Sequence, residues 1–167
     1  QSPDVNVYGV SLPGAPSVII GFNDSISWGL TNNYRDVKDF YEIASSNKNS
    51  YDVDGKQLPF KKRVEVIKIK GKQDFIDTVY YTIHGPVMYD SSFTDPTNSG
   101  KQFALCWMAH RGTNELLSLF LLNRAKNYHQ FTQALMHFEC PAQNFIYADR
   151  TGNIAIWGQG QFINKWK

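Results

Sequence analysis

The 167 residues are 42% hydrophobic and 14% aromatic, enough apolar material for a packed core and too much for a disordered chain. A formal net charge of +2 is too small to point to nucleic acid or an acidic membrane surface, and the basic run Lys61-Lys62-Arg63 reads as a solvated strand entrance. No run of about 18 or more apolar residues suggests a membrane-spanning helix, and Gln1-Ser2-Pro3-Asp4 has neither the basic nor the apolar region of a signal peptide.

Val5 to Val10 alternates loosely and reads as a strand, with Gly9 its weak point and Pro13, Gly14 and Pro16 closing it. Val18 to Ile20 is a second strand, Gly21-Phe22-Asn23-Asp24 a turn, and Ile26 to Leu30 a third strand. The polar loop Thr31-Asn32-Asn33-Tyr34 follows, then Asp36 and Asp39. A buried hairpin ending in small and amide-bearing residues suits a scaffold that presents backbone N–H groups to a ligand or a developing oxyanion. An ordinary hairpin with a polar exit loop has the same composition.

Val37 to Ile43 mixes β-branched and aromatic residues as a strand does. Ser45 to Ser50 is a polar loop, and Asp54-Gly55 turns Tyr51-Asp52-Val53 into Lys56-Gln57-Leu58. Val64 to Ile69 nearly alternates and pairs with Phe75 to Ile83 across Gly71-Lys72. Tyr89 to Gly100 is a surface excursion, and Phe103 to Met108 is continuous enough for a strand covered on both faces.

Thr113 is the expected N-cap of a helix over Glu115 to Arg124, with Leu116, Leu119, Phe120 and Leu122 available for burial. Asn127 with Gln130 three residues on starts a second helix, whose Phe131, Leu135 and Phe138 share a face before Pro141 stops it. Asn144 to Ala148 and Asn153 to Trp157 form a last hairpin around Asp149-Arg150-Thr151-Gly152. With no repeat and no linker, the chain reads as one domain over residues 1–167, α+β, mostly antiparallel sheet with a late helical pair. Cys106 and Cys140 have no spacing that dictates a bridge and read as buried free thiols, although an oxidising compartment would allow them to pair. Without CxxC or HExxH spacing, a zinc site is not expected.

Five blocks carry a more specific signal. Gly14-Ala15-Pro16 through Val18-Ile19-Ile20-Gly21-Phe22-Asn23-Asp24 to Ile26-Ser27-Trp28-Gly29-Leu30-Thr31-Asn32 comes first. Then come Asp36 to Tyr41, His84-Gly85-Pro86-Val87, Leu122 to Tyr128, and Pro141-Ala142-Gln143-Asn144-Phe145-Ile146-Tyr147-Ala148-Asp149. In this order they resemble the large subunit of the penicillin acylase (penicillin amidase) family of N-terminal nucleophile hydrolases. The resemblance implies part of a layered αββα sandwich. It also implies an amidohydrolase that cleaves small N-acyl amides (a penicillin or cephalosporin side chain, or an N-acyl homoserine lactone) with an N-terminal serine whose own α-amine is the base, an amine that titrates near neutral pH.

That serine is not seen in this chain. Ser2 stands behind Gln1 and the family's Ser-Asn-x-Trp opening is absent, so the chain reads as an internal piece, inactive alone, of an enzyme whose nucleophile lies elsewhere. By the same resemblance the backbone N–H of Asn32 is an oxyanion donor, although the family usually carries a smaller residue there. Ile20, Leu30, Tyr34, Leu119 and Gln143 line the acyl pocket; Gln143 replaces an apolar family residue. Catalysis needs no cofactor, but Asp36, the Lys38 carbonyl and Asp39 match a calcium-binding stretch, with two carboxylates and a carbonyl giving part of the oxygen shell. Solvated loop aspartates are the plainer reading of that pair. His84 is expected to be structural. The partners implied are the substrate, the small subunit and the rest of the large subunit; a periplasmic or extracellular location is implied likewise, and no nucleic acid or membrane. A non-catalytic binding or scaffold domain reusing the fold is the alternative.

Overall fold

The computed structural model describes residues 5–45, 47, 49–89, 96 and 100–164. Ser2 and most of the 89–100 excursion therefore lie outside the described residues. In chain order the strands are β1 (Val7–Val10), β2 (Ile20–Asn23), β3 (Ile26–Asn32), β4 (Lys38–Ile43), β5 (Ser50–Val53), β6 (Lys56–Pro59), β7 (Lys61–Ile67), β8 (Phe75–Tyr81), β9 (Val87–Met88) and β10 (Gln102–Trp107). Helices α1 (Glu115–Leu122) and α2 (Tyr128–Leu135) follow, then β11 (Gln143–Asp149) and β12 (Ile154–Gln159). The contacts gather into two compact units, one holding the described residues up to Val37 and from Arg111 onward, the other Lys38–His110.

The first unit is a five-stranded antiparallel sheet in the order β1-β2-β3-β11-β12, with α1 and α2 on one face. Side chains alternate across a sheet, so Ile26, Trp28, Leu30, Phe145 and Tyr147 all turn to the helices. There they pack with Leu119, Leu122, Phe131, Leu135 and Phe138. The opposite face shows Tyr8, Val10, Ile20, Phe22, Ile146, Ile154 and Ile156, each between 41% and 84% exposed.

Three expectations about this unit are corrected. The turn assigned to Gly21-Phe22-Asn23-Asp24 lies further on, because β2 runs to Asn23; the Asn23 side chain makes the turn, accepting from the Ser25 and Ile26 N–H groups at 2.9 Å each. The N-cap of α1 is Asn114 rather than Thr113, since Asn114 Oδ1 accepts from Leu117 N–H at 3.2 Å, while the Thr113 hydroxyl donates to Glu115. Leu119 and Leu122 are buried, but Leu116 and Phe120 are exposed, because their side of α1 faces away from the sheet. Asn127 caps α2 as expected, accepting from Gln130 N–H at 2.9 Å. The returning Gln130 Oε1 accepts from Lys126 N–H at 2.8 Å.

The second unit holds a three-stranded sheet β4-β10-β9 and two hairpins, β5–β6 and β7–β8. Asp54 and Gly55 have φ of 49° and 74°, the left-handed pair that a two-residue hairpin turn requires. Buried Tyr51 packs against Phe60 with ring centroids 4.9 Å apart and planes tilted by 32°, and its hydroxyl accepts from Ile83 N–H at 2.9 Å.

Candidate active-site strand

β3 ends at Asn32, and the ladder shows what its N–H faces. Asn33 N–H donates to the Ala142 carbonyl at 3.0 Å at one end of the β3–β11 pairing, and Arg150 N–H to the Ser25 carbonyl at 3.3 Å at the other. Antiparallel bonds alternate, so odd-numbered residues of β3 bond to β11 and even-numbered N–H groups point to the β2 side. The paired length of β2 stops well short of Asn32, covering only Gly21 opposite Trp28 and Phe22 opposite Ser27. The Asn32 N–H therefore leaves the sheet past the end of β2. A donor fixed by its strand and not consumed by the ladder is able to receive an oxyanion without rearranging.

The strand end is held from β11. Asn32 and Gln143 are directly opposite, and Gln143 Nε2 donates to Asn32 Oδ1 at 3.0 Å. Asn144 Nδ2 adds a longer bond to the Asn32 carbonyl at 3.4 Å. Gln143 itself is only 4% exposed. Arg35 closes the loop after β3, donating to the Gly158 carbonyl at 3.4 Å with its guanidinium 5.4 Å from the Phe162 ring centre.

Among the residues expected at the acyl pocket, Leu30, Leu119 and Gln143 are on the helix side of this sheet, Leu119 in the core and Leu30 packed against it. Ile20 is on the opposite face, its Cγ2 3.9 Å from where a Cβ on Gly29 would be. Tyr34 is fully exposed. Asp36 belongs to the first unit, its carbonyl accepting from Ile163 N–H at 3.2 Å; Lys38 and Asp39 open β4 of the second. Among the described residues, no group of three or more His, Cys, Asp or Glu gathers as a metal cage would require. Cys106 and Cys140 are free and half-buried. His84 stacks on Tyr41 with centroids 4.0 Å apart and planes 2° from parallel. Burial holds its pKa below the ordinary value, with Asp54 opposing in part, so at neutral pH the imidazole is uncharged.

The motifs also contain residues whose work is structural and was not singled out from the sequence. Asn123 is 5% exposed; its side chain accepts from Val18 N–H at 2.8 Å and donates to the Val18 carbonyl at 2.7 Å. Asn23 Nδ2 donates to the carbonyls of Asn123 and Ala125 at 3.3 and 2.8 Å. Together they tie the strand hairpin to the α1–α2 connection. Glu115 is pushed up by burial, but bonds from Thr113 and from the Cys140, Glu115 and Glu139 N–H groups outweigh this and leave it below the ordinary range. Asp149 collects Asn153, Thr151 and Tyr147 and is held far below the ordinary range. Burial, then this carboxylate, pushes Tyr147 up to about 12. A signal was available for Asn23, Asn123, Tyr147 and Asp149, which stand within the five blocks; Glu115 stands outside them.

Comparisons with known proteins bear on the family and the fold. The family model for penicillin amidase matches residues 1–167. The acyl-homoserine lactone acylase QuiP of Pseudomonas syringae pv. syringae is 33% identical over 168 residues, covering 99% of this chain and 20% of that protein. Penicillin G acylase of Escherichia coli is 29% identical over 180 residues, with 95% of this chain and 20% of that one covered. In three dimensions the thermostable penicillin G acylase from Alcaligenes faecalis superposes with a TM-score of 0.82 at 26% identity, over 96% of this chain and 28% of that one. The chain thus spans about a fifth of the length of the QuiP and Escherichia coli relatives.

Proposed function

The chain belongs to the penicillin amidase family, and on that premise we propose that it is a piece of the large subunit of an amidohydrolase cleaving small N-acyl amides. The observation that carries this reading is the Asn32 N–H, fixed at the end of β3 and directed past the end of β2. On this reading the serine nucleophile lies outside this chain. Its hydroxyl attacks the acyl carbonyl, its α-amine takes the proton, and the tetrahedral oxyanion forms. The Asn32 N–H is one donor to that oxyanion, worth roughly 3 to 4 kcal/mol of transition-state stabilisation. Collapse releases the amine and leaves an acyl-enzyme that water hydrolyses.

Of the residues expected to line the acyl pocket, Leu30, Leu119 and Gln143 are on the face that α1 and α2 cover, and Ile20 is on the open face, so the acyl group meets one set or the other. The relatives' names give acyl-homoserine lactones and penicillin G, and we take a penicillin side-chain amide or an N-acyl homoserine lactone as the substrate class. The seven exposed apolar residues on the open face of the sheet support its being covered by the rest of the large subunit, as an αββα sandwich requires. Asp36, Asp39 and the Lys38 carbonyl suit a calcium ion in kind, all being hard oxygen donors. Calcium takes roughly six to eight oxygens, so ligands beyond these are needed. A periplasmic or extracellular location goes with this reading.

The test is on the full-length protein. After purification, N-terminal sequencing should find a chain that starts with serine upstream of Val5, and phenylacetyl and long-chain acyl amides should be hydrolysed. An unprocessed, inactive product would replace the enzyme with a binding or scaffold domain.

A further inference from the structure

The small net charge conceals how unevenly it is spread. Lys61, Lys62, Arg63, Lys68, Lys70 and Lys72 are six of the chain's 17 Lys and Arg, and all six belong to one arm of the second unit. There β7 and β8 form a sheet of their own. The arm is anchored at its base, where Tyr80 meets Phe60 edge-on at 5.7 Å and Tyr81 bridges to Pro86. Its far end closes in a turn, with Lys72 N–H donating to the Ile69 carbonyl at 3.1 Å.

This end of the arm is apolar on both faces. Val66 and Ile76 are opposite each other on one face, Ile67 and Phe75 on the other, since neighbours along a strand alternate. These four and Ile69 are each between 41% and 65% exposed. Lys68, Lys70 and Lys72, all exposed, are interleaved with them, and among the described residues none of the three is in an ion pair. The open face of the first unit's sheet is different. Its five strands contain no Lys or Arg, which suits a face that another protein layer covers. A protein layer over the tip of the arm would bury three ammonium groups with the aliphatic ones, and lysines are almost never buried unpaired. An anionic bilayer surface accommodates both kinds. Its headgroups neutralise the lysines, while the boundary with the acyl chains takes up apolar side chains on every side of the tip. We propose that the β7–β8 arm docks the protein on anionic phospholipid, with Ile67, Ile69, Phe75 and Ile76 inserted and Lys68, Lys70 and Lys72 at the headgroups.

The experiment cosediments the full-length protein with vesicles of phosphatidylcholine, with and without phosphatidylglycerol. Binding to the anionic vesicles should be tighter by about tenfold or more, and should weaken as salt is raised. The combined variant Lys68→Gln, Lys70→Gln, Lys72→Gln should bind them about a hundredfold more weakly, and Phe75→Ser about tenfold more weakly. Both changes are at exposed positions, so both variants should unfold at the wild-type temperature. Without vesicles, an N-hydroxysuccinimide ester should acetylate all three lysines; anionic vesicles should protect them. Equal binding to the two vesicles, or anionic binding that the lysine variant retains, would overturn the inference. So would lysines that resist acetylation without vesicles or variants that unfold early, since either places the tip under the rest of the protein. No readout here needs turnover, so the inference stands or falls independently of the acylase reading.

Discussion

Asn123 illustrates how a single side chain can hold a site it never touches. Its amide pairs with both the N–H and the carbonyl of Val18, just before β2, while the carbonyl of Asn123 receives Asn23 from the end of β2. The C-terminus of α1 thereby fixes both ends of the strand beside β3. Substituting Asn123→Ala leaves the N–H and the carbonyl of half-buried Val18 without these partners. A loss of about 2–4 kcal/mol is expected, read as a lower denaturation midpoint in urea with the m-value retained. Asn123→Asp should recover little of it, because a carboxylate has no hydrogen to give to the Val18 carbonyl. A midpoint shift within about 0.5 kcal/mol of wild type, as for an ordinary surface substitution, would show that the hairpin is held by packing alone.

At the scale of elements, alternation and turn residues predicted most strands and the late helical pair, because a half-buried strand must alternate and a two-residue hairpin needs left-handed residues such as Asp54-Gly55. What composition left open was decided by side-chain geometry. Thr113 and Asn114 are both good caps, and only the reach of Asn114 to Leu117 N–H chose between them. Leu116 and Phe120 fit a helical stripe as well as Leu119 does, yet the stripe that is buried depends on where the sheet lies. Likewise the strand end at Asn32 was legible as a motif, whereas the Gln143 contact across the sheet needed the register. Gly85 gives the matching test in the second unit. Its φ is +143°, and a Cβ there would lie 2.1 Å from the Leu105 carbonyl oxygen on β10. Backbone carbonyls in a ladder do not step aside, so Gly85→Ala should destabilise this unit by about 2–4 kcal/mol. Amide exchange should show it as faster exchange at β9 and β10 than at β11; equal protection throughout would mean that the chain bends there without strain.

For the molecule as a whole, the two faces of the five-stranded sheet are treated very differently. One is sealed by α1 and α2 around Phe131, Phe145 and Leu135. The other leaves Ile156 70% and Ile154 84% exposed beside Ile146, a group of neighbouring apolar side chains of the kind that marks an interaction surface. If the rest of the subunit covers this face, the same substitution has opposite consequences in two settings. In the isolated chain Ile156→Lys removes a sticky side chain from water, so folding stability should change by no more than about 0.5 kcal/mol and concentration-dependent association should weaken. In the full-length protein the ammonium would be buried without a partner, and a loss of about 3–5 kcal/mol is expected. Sedimentation velocity on the chain and thermal unfolding on the full-length protein read the two arms. A chain that is monomeric at every concentration before substitution, together with a full-length protein indifferent to Ile156→Lys, would mean that this face meets solvent in the full-length protein.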